Sequence, residues 1–166
     1  MSDDEVHAGA RRVLDLGRAR GLRIATAESC TGGLVIAALT DIGGSSDVVD
    51  RGFVTYSNAA KEAVLGVPAA TLAAYGAVSR ETAEAMAHGA LAHAPVDLAV
   101  AITGIAGPGG GTQDKPVGLV HFAAARRDGR LAHRERRFGD IGRGEIRRRS
   151  VIEALAMLAD LAAAPA

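Results

Sequence analysis

Residues 4–20 place Val6, Ala10, Val13 and Leu14 at helical spacing, and Gly21 closes that pattern. The run LRIATA, residues 22–27, then reads as a short buried strand, and it leads into Ser29, Thr31 and the pair Gly32–Gly33. Periodicity resumes in LVIAALTDI, residues 34–42, apolar nearly all round and therefore expected to be a buried helix. GGSSDVVD is a turn that offers Ser45 and Ser46 as N-caps. RGFVTYS (51–57) predicts a strand, and NAAKEAVLG a short helix with Asn58 placed to cap it. A second short helix over 68–75 stops at Gly76, and Ser79 opens a longer one with Ala83, Met86, Ala87, Ala90 and Leu91 on one face.

The most strand-like run, VDLAVAITG (96–104), is apolar on both faces and so predicts a central strand. A long glycine-rich loop follows it. VGLVHFAAA and LAHRERRF then predict a hairpin around Asp128–Gly129. From about residue 144 a final helix turns Val151, Ala154, Leu155, Leu158 and Leu161 inward. Helices precede, separate and follow the strands, which predicts an α/β fold: a three-layer α/β/α sandwich with a mixed, mainly parallel sheet. No linker or internal repeat divides residues 1–166, so a single domain is expected. Ligands in such sheets sit beyond the carboxyl ends of the parallel strands, where the loops at 28–33 and 104–116 both fall.

Composition narrows the chemistry. Apolar residues make up 48% of the 166 positions, aromatics 3%, and tryptophan is absent. The core is therefore aliphatic, and stacking of single-stranded bases is not the main device. One cysteine excludes an internal disulfide framework and a multi-cysteine metal site. The acidic N-terminus has no signal-peptide pattern, and no run of transmembrane length is free of charge, so a soluble, cytoplasmic protein without a membrane partner is expected. Net charge is zero, yet residues 126–149 hold ten arginines against four acids. A solvated face explains this better than a phosphate-binding patch, though attraction of phosphate-bearing ligands stays open. Of the 19 basic residues, 17 are arginine; only Lys61 and Lys115 are lysine. A chain that uses arginine for surface charge draws suspicion to its lysines, because guanidinium cannot lose its proton near neutral pH.

Candidate chemistry lies in the two loops. Glycines after a strand let the backbone approach a ligand, and the following helix offers N–H groups to negative charge. Ser29 sits at that junction with its hydroxyl placed to point at whatever those amides hold, and on residue type and position alone helix capping by Ser29 or Thr31 is the favoured reading. The run GIAGPGGG, residues 104–111, matches neither a Walker loop nor a dinucleotide fingerprint, but suits a nest of amides for an anion. No histidine falls in a glycine-rich turn, so the candidate base for Ser29 is Lys61, which follows Tyr56 in VTYSNAAK. Cys30 reads as a small buried hydrophobe.

The blocks TAESCTGGL, GFVTYSNAAKEAVLGV, GAVS, AITGIAGPGGG and KPVGLVHF, in this order, resemble the CinA C-terminal domain family across about residues 5–160. The resemblance implies the single-domain form, a nicotinamide-nucleotide amidohydrolase that converts nicotinamide mononucleotide to nicotinic acid mononucleotide and ammonia in pyridine nucleotide salvage. It implies Ser29 as nucleophile, Lys61 as general base, Tyr56 beside it and Thr103 sharing hydrogen bonds with the pair. It places phosphate contact on Arg143 and on the loop of Gly104, Gly107, Gly109 and Gly110, and substrate contact on Thr31, Gly32, Gly33, Ser45 and Ser46. Helix N-terminal amides near Thr31 and Gly32 would hold the oxyanion. No metal or cofactor is called for; the partner is a small-molecule pyridine nucleotide, a homo-oligomer is expected, and nucleic acid is disfavoured. The competing reading is a non-catalytic nucleotide-binding or competence-associated accessory protein.

Overall fold

The computed structural model describes residues 3–166. Its elements run α1 (Asp4–Arg20), β1 (Ile24–Glu28), α2 (Leu34–Thr40), β2 (Val49–Val54), α3 (Asn58–Leu65), α4 (Ala69–Tyr75), α5 (Arg80–His93), β3 (Leu98–Gly104), β4 (Leu119–Arg126), β5 (Leu131–Arg137) and α6 (Arg143–Ala163). The strands form one sheet in the order β2-β1-β3-β4-β5. β1 pairs parallel with β2 and β3, while β4 pairs antiparallel with β3 and β5. Only β4 therefore runs against the rest, as the mixed, mainly parallel sheet requires.

Alternation along the strands builds two cores. Leu98, Val100 and Ile102 of β3, with Val120, Phe122 and Ala124 of β4, face α1, α2 and α6. Ala99, Ala101, Ala123 and Ala125 face α5 and the short helices before it. Alanine on that face lets α5 lie close to the sheet. Gly89 carries the same economy further: a Cβ there would stand 2.1 Å from the Leu65 carbonyl oxygen, so α5 and the end of α3 are in backbone contact. Gly89→Ala is expected to force α3 outward and lower stability by about 1–3 kcal/mol, the range for overpacked sites. A thermal melt checks this; an unchanged midpoint would mean that α3 moves freely.

Local expectations hold with instructive exceptions. Ser79 caps α5 through the Thr82 amide, and Gly76 ends α4. Ser57, not Asn58, caps α3: its backbone is extended (φ −100°, ψ 163°) and its hydroxyl accepts from the Ala60 amide, whereas Asn58 is already helical. Ser45 and Ser46 begin a single 3-10 turn, and neither side chain caps it. α2 is less buried than its composition predicts, since only Val35 and Leu39 are fully covered. It crosses between β1 and the edge strand β2, where one side alone meets the sheet. No helix among the described residues is long and apolar enough to cross a membrane.

Candidate active site

β1 leads to β2 on one side and β3 lies on its other side, so the chain reverses its direction of winding at β1. At the carboxyl ends of these three strands, β1 delivers Ser29, β2 delivers Tyr56 and then Lys61 on α3, and β3 delivers Thr103 and Gly104. These residues line one cavity of about 260 Å³, together with Cys30, Asn58, Gly107, Gly109, Gly110 and Arg143. Ligand crevices of open α/β sheets form at such a reversal.

Lys61 dominates the site. It is 1% exposed, and its Nζ lies 3.1 Å from Ser29 Oγ and 2.9 Å from the Thr55 carbonyl oxygen. No carboxylate pairs with it among the described residues. Burial pushes its pKa below the ordinary lysine value. Only a thiolate at Cys30 would pull the other way, and burial pushes that thiol up to about 12, so it stays neutral. The deprotonated amine can accept the Ser29 proton while still donating to Thr55. No histidine lines the cavity, and His121 and His133 instead meet each other at 3.0 Å. Thr55 Oγ1, next to the carbonyl that Lys61 holds, is a buried side-chain atom with no partner among the described residues.

The serine's turn is shaped by a residue that sequence reasoning passed over. Glu28 is 0% exposed and accepts hydrogen bonds from Thr26 Oγ1, Thr31 Oγ1 and the amides of Gly33, Val35 and Ile36. It thereby caps α2, a task that four orphan amides at any helix start require. Gly32 and Gly33 have φ of +58° and +101°, which bends the chain so that these amides converge on one carboxylate. The pair therefore serves the turn. Its signal was a lone charge at the end of an apolar strand.

The α2 amides are consequently spent, which corrects the expectation that they hold an oxyanion. The Gly32 amide is also engaged, by the Ser29 carbonyl. Among the described residues, the amides of Cys30 and Thr31 meet no oxygen acceptor. The same holds between Ile105 and Thr112 for Ala106, Gly107, Gly109, Gly110 and Gly111, which leaves a row of donors on the glycine-rich loop.

Other expected residues fall in different places. Thr103 donates to the Ala77 carbonyl at 2.7 Å rather than to Ser29 or Lys61, tying the end of β3 to the loop before α5. Tyr56 is 63% exposed at the rim, and its hydroxyl accepts from Arg143 Nη2 at 3.0 Å. Arg143, the first residue of α6, also holds the Gly107 carbonyl at 2.7 Å. Thr31 is fully buried behind Ser29, and Thr31, Gly32 and Gly33 do not line the cavity. Ser45 and Ser46 lie at the other end of the sheet, where the Ser46 carbonyl accepts from Arg23, just before β1. Lys115 is spent on the Tyr75 carbonyl at the end of α4.

The ten arginines of 126–149 do not form a free basic surface. Arg126, Arg130, Arg134, Arg136, Arg137, Arg148 and Arg149 pair with acids, and Arg127, Arg143 and Arg147 hold backbone carbonyls. Seven of the ten are thereby matched by acids within the fold.

A three-layer α/β/α domain with a buried amine against a serine hydroxyl at its strand ends defines the class of protein. The chain belongs to the CinA C-terminal domain family, whose sequence pattern matches residues 7–162. It is 49% identical over 138 residues to the nicotinamide-nucleotide amidohydrolase PncC of Enterobacter agglomerans, covering 83% of this chain and 84% of that protein. It is 54% identical over 140 residues to a CinA-like protein of Anaeromyxobacter dehalogenans (strain 2CP-C), but spans only 34% of that longer protein. Among solved structures, the competence/damage inducible protein CihA from Agrobacterium tumefaciens superposes with a TM-score of 0.93 at 57% identity over 95% of each chain. A CinA superfamily protein from Escherichia coli gives a TM-score of 0.90 at 34% identity, covering 97% of this chain and 93% of that one.

Proposed function

We propose that this chain is an amidohydrolase that hydrolyses the carboxamide of nicotinamide mononucleotide to nicotinic acid mononucleotide and ammonia, within pyridine nucleotide salvage. The observation that carries this reading is the buried Lys61 Nζ, 3.1 Å from Ser29 Oγ and without a carboxylate partner among the described residues. The family and the PncC relative supply the substrate class.

Neutral Lys61 takes the Ser29 proton as Oγ attacks the carboxamide carbon. The oxyanion so formed draws on the amide of Cys30, a residue that lines the cavity, such a donor being worth about 3 kcal/mol in comparable sites. The amide following a nucleophile is a recurrent choice for this role. The resulting lysine ammonium returns its proton to the departing nitrogen, and ammonia leaves. Water, deprotonated by the same amine, then cleaves the acyl-serine and restores the site.

The free amides of the 106–111 loop and the Arg143 guanidinium suit a phosphate at the far end of the substrate, with Tyr56 steadying Arg143. Such remote contacts orient the amide for attack. Arg143→Ala is therefore expected to raise KM by about tenfold, a loss near 1.4 kcal/mol, with a smaller change in kcat. Steady-state kinetics check it, and an unchanged KM would move the phosphate elsewhere.

Ammonia release from nicotinamide mononucleotide, nicotinamide riboside, nicotinamide and nicotinamide adenine dinucleotide tests the proposal as a whole. Turnover of the mononucleotide well above the others is expected. Binding of that compound without ammonia release would favour the accessory-protein reading, and release from the phosphate-free amides alone would remove the phosphate's part.

A further inference from the structure

The glycine-rich loop that offers its amides to an anion hangs from two cations. At its near end Arg143 holds the Gly107 carbonyl at 2.7 Å. At its far end Lys115 Nζ donates to the carbonyl of Tyr75, the last residue of α4, at 2.6 Å. No carboxylate pairs with Lys115 among the described residues, so its charge is committed to that one peptide oxygen. Carbonyls in the last turn of a helix lack intrahelical partners and carry partial negative charge, which makes them acceptors for a cation.

Between these anchors the loop is held together as one piece. Thr112 closes a turn with Lys115: its amide donates to the Lys115 carbonyl at 2.7 Å, and its hydroxyl accepts from the Lys115 amide at 3.0 Å. The two limbs touch, since a Cβ at Gly111 would stand 2.8 Å from the Val117 backbone nitrogen and one at Gly107 2.7 Å from Val117 Cγ1. Where Lys115 is fastened therefore governs where the 106–111 amides point. Ala77 and Val78, just past Tyr75, line the same cavity as Gly107, Gly109 and Gly110. The Thr103 hydroxyl already ties Ala77 to the end of β3. Lys115 thus closes a ring of contacts, from β3 through the loop to α4 and back through Ala77 to β3.

The residue type suits the place. A Cβ on Gly76 would stand 3.1 Å from Lys115 Nζ, and Gly76 has a φ of +77°. A compact ammonium fits over that glycine, where a planar guanidinium is broader. This accounts for the second lysine in a chain that otherwise uses arginine.

We infer that Lys115 is a positioning residue that sets the preference for a phosphate-bearing substrate: clamped to α4, it keeps the 106–111 amides converged on one anion. The inference rests on the phosphate reading above, and it adds a residue outside the cavity lining. Its loss falls on KM for the mononucleotide, because the amides hold the phosphate equally before and during attack. Binding of a phosphate-free analogue stays in place, as does the pH dependence set by Lys61.

The test uses the full chain with Lys115→Met and Lys115→Arg. KM and kcat are measured for nicotinamide mononucleotide, and nicotinamide riboside is titrated as an inhibitor of that turnover. Lys115→Met is expected to raise KM about fivefold, the scale of one cation at a helix C-terminus, with kcat changed by less than about twofold. Its inhibition constant for the riboside should hold within about twofold. Lys115→Arg should fall between Lys115→Met and the parent. Hydrogen exchange gives a second readout: peptides covering 105–117 should exchange faster in Lys115→Met, while those of β3 keep the parent's rate. A KM rise below about twofold, an equal weakening of the riboside, or unchanged exchange over 105–117 overturns this inference and leaves the phosphate reading standing. A parent that releases no ammonia, or that binds the riboside as tightly as the mononucleotide, overturns both.

Discussion

Ser29→Ala is expected to abolish ammonia release from nicotinamide mononucleotide, with kcat falling by about 10⁴-fold or more, as for nucleophiles of comparable hydrolases. The hydroxyl lies against a buried amine, and alanine leaves that amine with no proton to take. The adjacent Cys30 provides the control. Its thiol, 5% exposed and pushed up to about 12, is neither ionised nor aimed at Lys61 by any hydrogen bond. Cys30→Ala should cost less than about tenfold, reflecting packing beside the nucleophile rather than chemistry. Single-turnover assays with mass detection of an acyl adduct at Ser29 measure both. Full activity in Ser29→Ala, or loss only in Cys30→Ala, would pass the reaction to the thiol.

The placement of Ser29 and Lys61 together at the end of the sheet was legible in the sequence because it depended on composition and chain order. A strand that runs into glycines places its next side chain at a sheet end, and a chain that spends 17 of 19 basic positions on arginine marks Lys61 out. The fold was legible for a similar reason: β3 and β4 announce themselves by apolar runs, and the hairpin turn by Asp128–Gly129. What stayed hidden was partner choice among adjacent polar groups. Whether Ser57 or Asn58 caps α3 turns on which residue keeps an extended backbone, and both types can do it. Glu28 could have met water or a cation; only the convergence of three amides and two hydroxyls on its carboxylate shows that it ends in capping α2. Thr103 bonds to Ala77 across 26 positions of sequence, a contact that no local pattern encodes. The arginines of 126–149 likewise take their meaning from α6 and the N-terminal acids folding back onto them.

Replacing Lys61 should be nearly as damaging as replacing Ser29, and its pH behaviour gives the sharper test. The competent form is the free amine, so kcat/KM of the parent should rise as pH climbs through the lowered Lys61 pKa. Lys61→Ala and Lys61→Arg should both lose activity by about 10³-fold or more, because guanidinium keeps its proton throughout the accessible range. The rising limb should vanish with them. Stability follows from the same shift. In the unfolded chain Lys61 titrates at its ordinary value, and in the folded chain lower, so between the two the unfolded state binds more protons. The parent therefore loses stability as pH falls from the ordinary lysine value to the folded one, below which the buried site carries a charge without a counter-ion. Lys61→Met removes that charge and should be more stable than the parent at acidic pH, with the gap narrowing as pH rises toward the ordinary lysine pKa. A residue that weakens its own fold while enabling attack is what a catalytic amine predicts. Denaturant titrations across pH, run beside the rate profile, decide it. Near-parental turnover by Lys61→Arg, or a parent no less stable than Lys61→Met at low pH, would mean that the amine is held charged and takes no proton from Ser29.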